Sequence, residues 1–202
     1  MLPYDTYGNR ENRMILLLHG AAALDTFTRQ YEMSRKYFLV VPHLYGAGKS
    51  VEKMYEPTKM VQELEKLMEA LNRDKMIVIG HSLGAQLAIM LVSRHPEWFF
   101  GAVFLSAWVN PMTRSVRAYC GMAPLAAKAL QWGWLVRMQA SYWHYTKEQA
   151  TRMEEYVKKL TPERYKAFFE HTMRLKDYPE YEQVNIPMLE KFLETIINTS
   201  GY

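Results

Sequence analysis

The sequence predicts an α/β fold built on a parallel sheet, and three observations carry that expectation. Four short runs, 14–18 (MILLL), 37–42 (YFLVVP), 76–79 (MIVI) and 101–106 (GAVFLS), are apolar without polar alternation, as in strands buried on both faces. Stretches with helical spacing separate the later ones, most clearly 57–72 and 83–95. The joins are short, so strands alternating with helices imply a parallel sheet with right-handed crossovers.

Residues 1–13 are polar and turn-rich and are expected to form no regular element; they contain no apolar stretch of the kind found in a signal peptide. The strand at 14–18 runs into His19-Gly20-Ala21-Ala22-Ala23, and Asp25 or Thr26 is placed to cap a helix through Tyr31. Small residues after a strand let backbone N–H groups approach a bound group, although taken alone this stretch reads better as an ordinary strand-end loop. The second strand, 37–42, leads into HLYGAGKS at 43–50. That string resembles a phosphate-binding loop but has His43 where the motif needs its first glycine. Glu56-Pro57 interrupts the helix that should follow, so nucleotide binding is not expected. In 57–72, Met60, Val61, Leu64, Leu67, Met68 and Leu71 make one apolar stripe behind Pro57, a core-facing helix.

The stretch 76–91, MIVIGHSLGAQLAIML, organises the rest. Gly80-His81-Ser82-Leu83-Gly84 joins a buried strand to residues at helical spacing, so Ser82 sits on a sharp strand-to-helix turn. Glycines on either side admit the close backbone contacts of such a turn, and the helix head offers N–H groups that stabilise negative charge. A serine merely capping a helix in a glycine-rich turn is the plainer alternative. The helix ends near Ser93-Arg94-His95-Pro96. Ligands of parallel sheets bind beyond the carboxyl ends of the strands. Gly20-Ala21, 43–48, Ser82 and 107–110 all fall there.

Composition narrows the classes. In 202 residues, nearly half hydrophobic, one domain or a domain with an insertion is expected. The net charge of +4 comes without an arginine- or lysine-rich arm, so no nucleic-acid partner is expected. The single cysteine, Cys120, excludes an internal disulfide and favours a reducing, cytoplasmic compartment. No apolar run approaches the ~20 residues of a membrane span.

ILLLHG at 15–20, VVPHLYGAGKS at 40–50 and VIGHSLGAQLAI at 78–89 together resemble the α/β-hydrolase superfamily, over roughly residues 14–110. The resemblance implies a three-layer αβα core in which Ser82 is the nucleophile. The N–H groups of Ala21 and Leu83 would form the oxyanion hole, with Ala22 the neighbouring candidate. It implies no metal or organic cofactor, and a structural role for His81. His43 stands where the family often has aspartate, which implies an altered loop rather than altered chemistry.

Residues 111–180 show dense, aromatic-rich helical periodicity and no strand pattern, similar in place and length to the helical cap of that family. The expected organisation is therefore a core over 1–110, a cap over 111–180 and a residual strand with a C-terminal helix over 181–202. Within the last part, 184–188 (VNIPM) reads as a strand that gives way to a helical stripe from Leu189 through Phe192, Leu193, Ile196 and Ile197. The family order is Ser, then Asp or Glu, then His, but neither a strand-loop acid nor a loop histidine follows the cap. The C-terminal strands are thus expected to be incomplete, with the segment carrying acid and base lacking. His144, His171, Asp177 and Glu180 are weak substitutes, His95 lies away from the site, and 107–110 holds no acid. The expected activity is hydrolysis of an ester-like bond of a small apolar substrate by way of an acyl-enzyme, impaired in this chain. The alternatives are a non-catalytic protein that binds a small apolar ligand in the capped pocket, and an unstable fragment.

Overall fold

A computed structural model describes residues 1–107, 109, 114–171 and 173–192, with the side chains of 114–120 and 190–192 left aside. Among the described residues six strands form one sheet: β1 (Tyr4–Tyr7), β2 (Met14–Leu18), β3 (Phe38–Pro42), β4 (Met76–His81), β5 (Phe99–Ala107) and β6 (Met188–Phe192). Their spatial order is β1-β3-β2-β4-β5-β6. All neighbours are parallel except β1, which runs antiparallel to β3.

The apolar runs become strands because both faces are covered. Every residue of β2 and β3 is buried. On one face, Leu16, Leu18, Val40, Val78 and Phe104 pack against α1 (Pro57–Leu71) and α2 (Leu83–Arg94). The stripe predicted for α1 is buried as expected, and Glu56 caps it by accepting the N–H groups of Thr58 and Lys59. On the other face, Ile15, Leu17, Leu39 and Val41 meet Leu24 and Phe27. That cover is a kinked run of 3₁₀ turns over Leu24–Arg35, without the side-chain cap predicted from Asp25 or Thr26. Thr26 instead donates its hydroxyl to the Ala23 carbonyl at 2.6 Å. Towards β5 and β6 this second layer thins. Ile77, Ile79, Val103 and Leu105 are only half-buried, and Leu189 is exposed.

Among the described residues four α-helices stand between β5 and β6: α3 (Arg114–Leu130), α4 (Gly133–Tyr142), α5 (Lys147–Lys159) and α6 (Pro162–Glu170). Thr146 and Gln149 close a reciprocal capping box on α5, and Thr161 caps α6 ahead of Pro162. Val136, Ala140, Met153 and Val157 make a small core between α4 and α5.

Two expectations need correction. Residues 4–7 form a strand rather than loop, because the exposed edge of β3 accepts them in antiparallel register from Tyr4 opposite Pro42 to Tyr7 opposite Leu39. Stacking of Tyr7 on Tyr31 at 4.1 Å secures the strand. Residues 189–192 are likewise strand, not helix. Met188–Phe192 pairs in parallel with β5, and the Pro187 carbonyl accepts the Ala102 N–H at 3.0 Å. Pairing with an open sheet edge outweighs the local helical spacing. The remainder of the stripe, from Leu193 onward, lies outside the described residues, as does Asn110.

Among the described glycines, the closest backbone approach is that of Gly84 in α2 to the end of β2. A Cβ built on Gly84 would lie 2.0 Å from the Leu18 carbonyl oxygen and 2.6 Å from that of His19. Gly121, in α3, has nothing within 4 Å of such a Cβ. Gly84→Ala is therefore expected to cost about 4 kcal/mol or abolish folding, while Gly121→Ala gains about 0.5–1 kcal/mol from helix propensity. Denaturant unfolding of the two variants beside the parent chain measures both.

Candidate active site

Ser82 follows the last residue of β4 and precedes α2, at φ 53 and ψ −115. A positive φ is unusual for a residue with a Cβ and costs on the order of 1–3 kcal/mol unless its surroundings impose it. Here they do. A Cβ on Gly80 would meet the Gly84 oxygen at 2.5 Å and the Ala85 backbone at 2.6 Å. The chain must reverse within two residues, and Ser82 carries the reversal. Its N–H donates to the Leu105 carbonyl at 2.8 Å, and its carbonyl accepts Ala85 N–H at 3.0 Å and Gln86 N–H at 3.2 Å. The half-buried Ser82 thus stands at the carboxyl end of the sheet, at the head of α2, where the first N–H groups have no acceptor within the helix. The buried Leu83 is the first helical residue.

The loop after β2 turns back beside it. A Cβ on Gly20 would lie 3.6 Å from Ser82 Cβ and 3.1 Å from His81 Nδ1, so only glycine lets the loop come this close. Ala23 N–H donates to the Gly20 carbonyl at 3.2 Å, and Ala22 sits inside that turn at φ 52. Ala21 is half-buried next to it. The structure therefore brings Ser82, Leu83, Ala21 and Ala22 to one end of the sheet.

Two buried histidines hold these loops. His19 Nε2 lies 3.2 Å from the Leu44 N–H, which can only donate, so Nε2 is the bare nitrogen. Nδ1 then carries the proton and donates it to the Gly20 carbonyl at 2.7 Å. Burial, followed by the fields of His43 and His81, lowers the His19 pKa from 6.5 to about 4. His43 follows the same logic: Nδ1 accepts the Lys49 N–H at 2.9 Å, and Nε2–H donates to the Asp5 carboxylate at 3.0 Å. Both of its nitrogens are occupied, and the residue is buried. The GAGKS string is equally committed to its own fold. Gly48–Ser50 is a single 3₁₀ turn, and the Lys49 side chain is exposed 4.0 Å from Asp5.

A cleft of about 340 Å³ opens beside the 20–23 turn, lined by Ala23, Thr26, Arg29, His81, Trp143, His144 and Tyr145. Burial lowers the His81 pKa, and His81 Nδ1 is buried without a hydrogen-bond partner. His144, at φ 56, follows α4 and is exposed. Burial pushes the Tyr145 hydroxyl up to about 12. The start of the 24–35 segment is tied to α5 by Arg152, whose guanidinium donates to the buried Asp25 carboxylate at 2.7 Å. Burial raises the Asp25 pKa, and Arg152 opposes that rise.

The other candidate residues lie elsewhere. His171 ends α6 and is exposed. Asp177 accepts from Arg174 at 2.8 Å. Asp177 and Glu180 share with Glu65 and His95 a polar groove of about 640 Å³ at the C-terminal end of α2, the end opposite Ser82. His95 is engaged there by Glu65 and Glu97. Among the described residues, the histidines paired with carboxylates are His43 and His95, and no group of three or more His, Cys, Asp or Glu is arranged to hold a metal. No described helix is long and apolar enough to cross a membrane.

Comparison with known proteins agrees with the fold. The family model described as alpha/beta hydrolase fold matches residues 13–133. A protein named "Probable proline iminopeptidase" from Leptolyngbya boryana is 31% identical over 106 residues, 50% of this chain and 33% of its own. RutD of Pantoea ananatis, named as a candidate carbamate hydrolase, is 32% identical over 113 residues, 52% of this chain and 41% of its own. This chain thus aligns with less than half the length of either relative. Among solved structures, a carboxylesterase from the thaumarchaeon Nitrososphaera gargenis superposes with a TM-score of 0.68 at 16% identity, over 92% of this chain and 74% of its own, a likeness of fold.

Two outcomes are expected from the contacts that hold the site. A histidine with a depressed folded pKa binds its proton more readily when unfolded, so its contribution is complete above pH 6.5 and is lost as pH falls towards 4. Stability should therefore decline over that window by on the order of 3 kcal/mol, and His19→Gln should flatten the decline in urea unfolding measured at successive pH values. Arg152→Ala leaves a buried carboxylate without its cation. With the Arg152 side chain half-exposed, the expected loss is about 1–2 kcal/mol at neutral pH, shrinking in acid as Asp25 takes up a proton.

Proposed function

This chain belongs to the alpha/beta hydrolase fold family, and we propose that its site is that of a serine hydrolase acting on an ester-like bond of a small, fairly apolar substrate. The observation that carries this reading is the backbone of Ser82, held at positive φ between a buried strand and a helix head with the Gly20–Ala23 turn against its Cβ. In this reading α3–α6 act as a cap. Trp143 and Tyr145 supply apolar wall to the cleft, and the polar groups of Thr26 and Arg29 line its other side. Ser82 Oγ attacks the substrate carbonyl, and the N–H groups of Leu83 and Ala21, with Ala22 beside it, hold the developing oxyanion. Collapse of the tetrahedral intermediate releases the alcohol and leaves an acyl-serine, which water then hydrolyses. No metal is needed for either step. The single cysteine fits a reducing, cytoplasmic setting.

A second reading is favoured by the histidine pairing: the carboxylate-bound imidazoles, His43 and His95, are committed elsewhere, and His81 and His144 line the cleft without a carboxylate hydrogen bond among the described residues. In that reading the pocket binds an apolar ligand without turnover.

Labelling with a fluorophosphonate probe separates the two. The expected result is slow labelling that disappears in Ser82→Ala, at a rate on the order of 10⁴ below that of a complete Ser-His-acid site. If His144 is the proton acceptor, His144→Ala removes what labelling there is. A chain that melts cooperatively and takes no label is the binding protein of the second reading.

A further inference from the structure

We propose that the outer face of α4 is a docking surface for an anionic phospholipid layer. Trp134, Met138 and Tyr142 recur every four residues, so they point the same way along ~12 Å of helix. They are 63%, 57% and 80% exposed, and Trp132, just before the helix, is 60% exposed. An apolar row this open on a helix of a soluble domain marks an interaction site.

Charge identifies the partner. From Trp98 to Lys147 the chain carries no aspartate or glutamate, while Lys128, Arg137 and Lys147, whose side chains the structure describes, are basic. Arg137 on α4 is held by Glu154 of α5 at 3.1 Å, but Glu154 is also shared with Lys158, so the trio stays cationic. Lys128 and Lys147 are exposed on either side of α4 in the chain. A second copy of this chain would set like charges against each other. An anionic lipid surface satisfies both features, since tryptophan and tyrosine settle at the boundary between headgroups and acyl chains and basic residues are drawn to the negative surface. The helix would lie on the layer rather than cross it.

The placement relates this surface to the cleft without depending on the chemistry of Ser82. Trp143, His144 and Tyr145 directly follow α4 and line the cleft beside Ala23 and His81. Docking through α4 would bring the mouth of that cleft to the lipid boundary.

Co-sedimentation of the purified chain with phosphatidylglycerol-containing vesicles, against pure phosphatidylcholine, tests this. Binding to the anionic vesicles that weakens with salt, persists in Ser82→Ala and falls about tenfold or more in a combined Trp134→Ser, Met138→Ser, Tyr142→Ser variant is expected. Equal binding by that variant, or no binding by a cooperatively melting parent chain, would overturn the proposal. So would self-association of the parent that the variant abolishes while vesicles have no effect, which would assign the face to a second copy. Should the variant fail to fold, quenching of the parent's indole fluorescence by brominated acyl chains decides: quenching supports docking and its absence refutes it.

Discussion

The arrangement rests on one contact, the backbone of α2 laid directly on the end of β2. Gly84 lies so close to the Leu18 and His19 carbonyls that no side chain fits between them. That approach fixes where α2 begins, and its beginning fixes Ser82. With β4 ending at His81 and α2 starting at Leu83, one residue must reverse the chain, and it does so at φ 53. The cost of that conformation is met by the surrounding core: α2 is buried along nearly its whole length, and the Ser82 N–H is tied to β5. Strain of this kind persists only where packing over-determines it. The same contact carries Gly20 to Ser82, so the candidate nucleophile and the candidate oxyanion loop share one cause.

Around this point the strand-end loops are joined by polar groups in a medium that penalises charge. His19 accepts the Leu44 N–H from the loop after β3 while donating to the Gly20 carbonyl of its own loop, a pair of bonds that needs a neutral ring, and burial keeps the ring neutral. His43 is hydrogen-bonded both to Asp5 of β1 and to the Lys49 N–H of its own loop. Asp25 is the exception, a buried carboxylate whose cation comes from α5, 127 residues later. Through it α5 is tied to the turn that follows β2.

What could be read in the residues follows the range of the forces involved. The elbow at 80–84, the HGA loop and the four central strands are local, because burial on both faces writes itself as continuous apolar runs and close backbone contacts as glycines. The stripes of α1 and of the helices after β5 were legible for the same reason. β1 was not, since Tyr4–Tyr7 is a strand only because β3 offers it an edge. β6 was misread because Leu189 and Phe192 carry a helical spacing that pairing with β5 overrides. The Arg152–Asp25 bond and the opening of His81 onto the cleft left no signal, because each is set by elements distant in the chain. The stretch without acids from 98 to 147 was visible in the letters, but its meaning depended on which face of α4 the fold leaves open.

The unequal cover of the sheet bears on how this protein responds to temperature. One face is sealed by α1 and α2. On the other, Ile77, Ile79, Val103 and Leu105 keep part of their surface in water, and Leu189 keeps most of it. Apolar surface already hydrated in the native state adds nothing to the heat capacity of unfolding. Each such side chain lowers the increment below what it would be with that side chain buried. A smaller increment flattens the curve of stability against temperature, so the folded state changes little in free energy on cooling and its cold limit moves further below freezing.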